Sequence, residues 1–145
     1  MSTNKQARHE SRIVAMNALF SYFSREEEVS IADSLAHVIE IGGKEKDDFA
    51  EGLLNTAIEN FGKIKVIIKV YAPEFAFEKI APINRAILIL GIAELKYFDT
   101  PPIVVINEYI EIAKEFAEER SAGFVNGVLD AFRKNIGRER ENNEQ

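Results

Sequence analysis

Ala86-Ile-Leu-Ile-Leu-Gly-Ile-Ala93 is the segment that most restricts what this chain can fold into. Ile83, Ile87 and Leu90 recur at helical spacing, and Leu88, Ile89 and Ile92 fill the remaining faces. A helix that is apolar all round must be covered on every side by other elements. The run is also far too short to cross a bilayer. It therefore predicts a central core helix, begun by Pro82, whose missing N–H costs nothing in a first turn.

The cover comes from other helices, because apolar residues recur at helical spacing nearly everywhere and alternate as in a strand nearly nowhere. A first helix is expected from about Gln6 to Ser24, with Ile13, Met16, Phe20 and Phe23 on one face and Ala15, Leu19 and Tyr22 beside them. Ser30 starts a second in a capping-box pattern with Asp33, and Gly42-Gly43 stops it. A long helix follows from about Lys44 to Tyr71, ended by Pro73; Gly52 and Gly62 within it weaken it or mark close helix contacts. Glu74 to Ala81 reads as a connector with one short helical turn. After Asp99-Thr-Pro-Pro102, a helix runs to about Glu119, with Ile103, Ile106, Ile110, Ala113 and Phe116 inward and Glu108, Glu111 and Glu115 outward. A last helix covers about Ala122 to Ile136, closed by Gly137. The prediction is an all-α, single-domain bundle of six or seven helices over residues 1–137, followed by a polar, disordered tail at 138–145.

The chain's 145 residues suit one domain, and 29% charged residues suit a folded one. It has no Cys, which removes disulfides, thiol nucleophiles and thiolate metal sites. No targeting or membrane segment is visible, so a cytoplasmic protein is expected. The net charge of −6 argues against a general nucleic-acid footprint, so any such binding must use a local patch. Positive charge gathers at the two ends, as Lys5, Arg8 and Arg12 and as Arg133, Lys134, Arg138 and Arg140.

Catalytic groups are scarce. His37 and Glu40 share a helix face but lack a third ligand, so no metal is predicted. The carboxylates fall at outward helical positions, where nothing separates their pKa values for acid–base work. Neither Gly42-Gly43-Lys44 nor Gly62-Lys63 completes a phosphate loop, and no dinucleotide fingerprint exists. No cofactor and no enzyme activity are predicted. Lys5, Arg8, His9 and Arg12 share one face of the first helix, where cations can track phosphates or simply face solvent. Ser121, Asn126 and two glycines surround the turn from Glu119 to Gly127. That turn serves either close helix packing through Gly127 or a bound ligand.

Pro102-Ile-Val-Val-Ile-Asn-Glu-Tyr-Ile-Glu-Ile-Ala-Lys-Glu-Phe116 and Ser121-Ala-Gly-Phe-Val-Asn-Gly-Val-Leu-Asp130 closely resemble the C-terminal half of the NusB family of bacterial transcription antitermination factors. Asn84 to Leu95 looks like the preceding helix of that family, and Ala15 to Phe20, after Arg8 and Arg12, looks like its first. The resemblance implies two packed subbundles and binding of single-stranded box A RNA jointly with the ribosomal protein NusE. It also implies entry into the RNA polymerase antitermination complex, including on ribosomal RNA genes. Helix-face spacing and the resemblance together make Lys5, Arg8, His9, Arg12, Tyr71, Ser121, Phe124 and Asn126 the candidate RNA contacts; by the resemblance, Tyr71 is placed to stack on a base. Phe20 and Asn84 match positions of the ribosomal-protein interface. Glu10 and Gly123 depart from the family pattern, in which basic residues are common at both places.

The competing reading is a helical protein-interaction module or homodimer whose RNA binding is weak or lost. An RNA cytosine methyltransferase domain, to which such bundles are sometimes fused, is disfavoured by the missing cofactor fingerprint and catalytic Cys.

Overall fold

The computed structural model describes residues 4–24, 30–41 and 47–143. Among them there are seven α-helices and no strand: α1 (Asn4–Ser24), α2 (Ile31–Ile41), α3 (Asp48–Glu59), α4 (Phe61–Tyr71), α5 (Pro82–Tyr97), α6 (Pro102–Phe116) and α7 (Ser121–Asn143). A short 3-10 turn, Phe77–Lys79, lies in the connector between α4 and α5, where one helical turn is expected.

The apolar run does what its composition demands. Every residue from Ala86 to Leu95 is buried. Helix α5 packs against α1, α3, α4, α6 and α7. One subbundle groups α1 with α2 and α3; the other groups α6 and α7 with α5, and α4 leans on both α5 and α7. A single apolar core runs through the two. At Gly91, a Cβ would stand 2.9 Å from Leu129 Cδ1, so the missing side chain is what lets α7 lie so close to α5.

Several boundaries differ from the periodicity. The expected long helix begins after Asp47 and is divided in two at Asn60. Asp47 caps α3 by accepting from the Ala50 N–H at 3.0 Å. Asn60 ends α3 and starts α4, and its side chain donates to the Thr56 carbonyl at 2.8 Å. That local bond competes with continued helix. Lys44 and the expected stop at Gly42-Gly43 lie outside the described residues. Ser30 does cap α2, accepting from the Asp33 N–H at 3.1 Å. Helix α6 ends at Phe116, where Ala117 turns to extended backbone, rather than at Glu119. Helix α7 starts at Ser121 and continues through Gly137 to Asn143, since a single Gly lowers helix propensity without forbidding helix.

Orientations need correcting too. Ile103 is 66% exposed and Phe116 is 39% exposed, although both fall on the apolar stripe of α6. They sit in its first and last turns, where no facing helix covers them. Phe20 and Tyr22 on α1 are likewise exposed. Among the described residues nothing lies within 4 Å of where a Cβ would stand at Gly52, Gly62 or Gly127, so none of them marks a close contact between the described helices.

Candidate nucleic-acid interface

The site begins with a charge in the core. Glu94 lies in the apolar helix α5 and is fully buried. A buried carboxylate is stable only when paired and hydrogen-bonded. Arg12 of α1 supplies the pair, with Nε donating to Oε1 at 2.8 Å and Nη2 to Oε2 at 2.6 Å. The Tyr109 hydroxyl of α6 donates to Oε1 at 3.0 Å. Burial works against the Arg12 charge, and the hydrogen bonds and charge of Glu94 outweigh it, so the Arg12 pKa is raised. Burial and then the charge of Glu94 push the Tyr109 phenol well above its ordinary value.

Glu108 extends this network. It was expected to face outward, yet it is buried. The cause is charge on α1: its Oε2 lies 2.6 Å from His9 Nδ1 and 3.5 Å from Arg12 Nη1. His9, Glu108 and Glu111 hold their ligand atoms within 4.8 Å of one another and are the described residues best placed to hold a cation. Glu108 is already engaged by His9 and Arg12 there. His37 and Glu40 are exposed on α2 and belong to no such group.

Arg12 is thus clamped to α5, while its neighbours on the same face stay at the surface. Lys5, Arg8 and Arg12 all line one cavity of about 680 Å³ between α1, α3, the α5–α6 loop and α6. Phe49 and Phe98 form its aromatic wall, packed edge to face at 5.8 Å. The Arg8 guanidinium stands 4.0 Å over the Phe49 ring. Lys5 and Arg8 are exposed, and no carboxylate among the described residues pairs with either. The other basic cluster is different: Arg133 and Lys134 both bond Asp130, at 2.7 and 3.1 Å. The side chains of Arg138 and Arg140 lie outside the described ones.

A second cavity, of about 350 Å³, opens at the start of α7. It brings together Ser121, Phe124 and Asn84 with Phe75, Lys79 and Arg120. Phe75 and Phe124 pack edge to face at 5.4 Å. Asn84 Oδ1 is shielded from solvent and accepts no hydrogen bond from the described residues. An acceptor in that state is ready for an incoming N–H. The structure therefore sets Asn84, expected at a protein interface, beside two of the expected RNA contacts.

The remaining candidates are scattered. Tyr71 is half-buried, packs edge-on against Phe132, and accepts from Asn135 Nδ2 at 2.5 Å. Asn126 is exposed on α7, Phe20 is exposed on α1, and neither lines either of these two cavities. Periodicity places Phe49 on an apolar helix face and Asp99 in a turn without tying either to the site, and it gives no role to Phe98 or Glu94. A signal existed for Glu94: a lone carboxylate in an otherwise apolar helix requires a buried cation.

Known proteins share this architecture. The all-helical fold is that of transcription antitermination factors. A crystal structure described as antitermination factors NusB and NusE in complex with dsRNA superposes with a TM-score of 0.79 at 27% identity, over 89% of this chain and 97% of that one. NusB of T. maritima gives a TM-score of 0.79 at 30% identity, over 92% and 93%. In sequence, the transcription antitermination protein NusB of a Nitratiruptor species is 35% identical over 130 residues, covering 89% of this chain and 93% of that protein. Its counterpart in a Sulfurovum species is 32% identical over 88% and 98%. The NusB family model matches residues 9–134, and the chain belongs to the NusB family.

Proposed function

We infer that this chain is an RNA-binding transcription antitermination factor. It acts with the ribosomal protein NusE on box A-type single-stranded RNA, within the RNA polymerase complex that transcribes ribosomal RNA among other genes. The observation that carries this reading is the pair of cations, Lys5 and Arg8, that no described carboxylate neutralises, beside an aromatic cavity in a protein of net charge −6. Such a local patch lets an acidic protein hold a phosphate backbone. Arg12 serves this site by fixing α1, while Lys5 and Arg8 make the phosphate contacts. The cavity at the start of α7, with Phe124 and Ser121, offers a second contact for the strand, and the exposed Phe20 offers one for the protein partner.

No described helix is long and apolar enough to cross a membrane, in keeping with a factor that works beside the polymerase. Glu10 and the side-chain-free Gly123 lower the positive charge near both RNA contacts, so the ribosomal partner is expected to be needed for tight binding.

The test is a titration with a box A-like RNA, single-stranded and as a duplex, with and without NusE, across a salt series. For single strands the slope of log affinity against log salt is about 0.7 per phosphate neutralised. Lys5→Ala with Arg8→Ala is expected to reduce that slope by about two such contacts. If neither RNA form binds, even with NusE present, the protein-interaction or homodimer reading takes its place.

A further inference from the structure

The first cavity carries a group that phosphate binding does not need. Asp99 lines it together with Lys5 and Arg8, and a carboxylate repels a phosphate. Asp99 is exposed, and no donor pairs with it among the described residues. The sequence explains why. An Asp at a turn ordinarily accepts from the backbone N–H two or three residues on. Here those residues are Pro101 and Pro102, which have no N–H. The Asp-Thr-Pro-Pro loop therefore holds out a carboxylate with both oxygens available.

The surroundings suit a flat ring. The Arg8 guanidinium covers Phe49, and its outer face is a plane on which a base can stack. Phe98 closes the cavity beside it, and Thr100 adds a hydroxyl. A splayed base entering under Lys5 and Arg8, with its phosphates left on those cations, presents its Watson–Crick edge to Asp99.

We propose that this cavity is a guanine-reading pocket, with Asp99 as its specificity-determining residue; the proposal rests on the RNA reading above. A carboxylate is acceptor-only and can take two parallel N–H donors. Guanine offers that pair, N1–H beside the N2 amine. Adenine and cytosine each set one amine beside a ring-nitrogen acceptor, which faces the second carboxylate oxygen unfavourably. Uracil sets one N–H between two carbonyl acceptors. Among the four bases, guanine alone satisfies both oxygens.

The experiment compares three short single-stranded probes by fluorescence anisotropy on the full chain with NusE present: oligouridine, the same with one central guanosine, and the same with inosine there. Inosine lacks the N2 amine and nothing else on that edge. The guanosine probe is expected to bind about tenfold more tightly than the inosine probe, as befits one hydrogen bond to a charged acceptor. Asp99→Asn is expected to abolish that difference, and an unchanged thermal melt of the variant separates this from loss of fold. Equal binding of all three probes, still weakened by Lys5→Ala with Arg8→Ala, overturns the guanine pocket and leaves RNA binding standing. Discrimination that survives in Asp99→Asn overturns it as well. If no probe binds even at low salt, the RNA reading of this cavity fails and the pocket fails with it.

Discussion

Arg12 changes most in meaning between sequence and structure. By spacing it is one of a row of surface cations; in the fold it neutralises Glu94 inside the core. Arg12→Ala leaves a buried charge without its partner, and the expected loss is about 3–5 kcal/mol of unfolding free energy. Denaturant melts would show it, whereas Arg8→Ala should change stability little. Tyr109 makes a prediction about pH. Its folded pKa lies well above that of the unfolded chain, about 10. A raised pKa means a contribution fully present below pH 10 and lost as pH rises from there toward the folded value. The difference in stability between the native chain and Tyr109→Phe is therefore expected to hold steady to about pH 10 and shrink above it. A difference that stays constant through pH 11 would show that the phenol ionises in the fold as it does in water.

Among the helices, the same residue type has opposite roles. Gly91 makes room for Leu129, so Gly91→Ala must displace a buried side chain, at a cost of about 1–3 kcal/mol. Gly127 is exposed and its missing side chain would meet nothing, so Gly127→Ala is expected to stabilise α7 by up to about 1 kcal/mol. Thermal unfolding of the two variants should shift in opposite directions. Helix identities were legible because apolar spacing, Pro82, Pro102 and Ser30 act locally. The break at Asn60 was harder to see, because a side chain competing with the backbone leaves the apolar pattern almost unchanged. The cationic face of α1 was legible as a face. Its division into one clamped and two surface cations was not, since that depends on where Glu94 and Glu108 arrive from other helices. Asp99 was visible only as part of a turn, and its availability follows from the two prolines after it.

Across the whole molecule, charge is sorted by partner rather than by region. The basic residues of α7 that the structure describes are answered by Asp130. Those at the start of α1 are divided, Arg12 holding Glu94 in the core and Lys5 and Arg8 exposed along a cavity with no carboxylate partner among the described residues. This arrangement makes an acidic protein locally attractive to phosphate while the rest of its surface discourages indiscriminate contact. The buried pair also constrains how such a chain can change over time. Losing Arg12 alone strands Glu94, and losing Glu94 alone strands Arg12, whereas exchanging both together for well-packed apolar residues can be neutral or better. Lineages that drop this bridge must therefore cross a valley of unstable single mutants, and the two positions are expected to vary in concert or not at all.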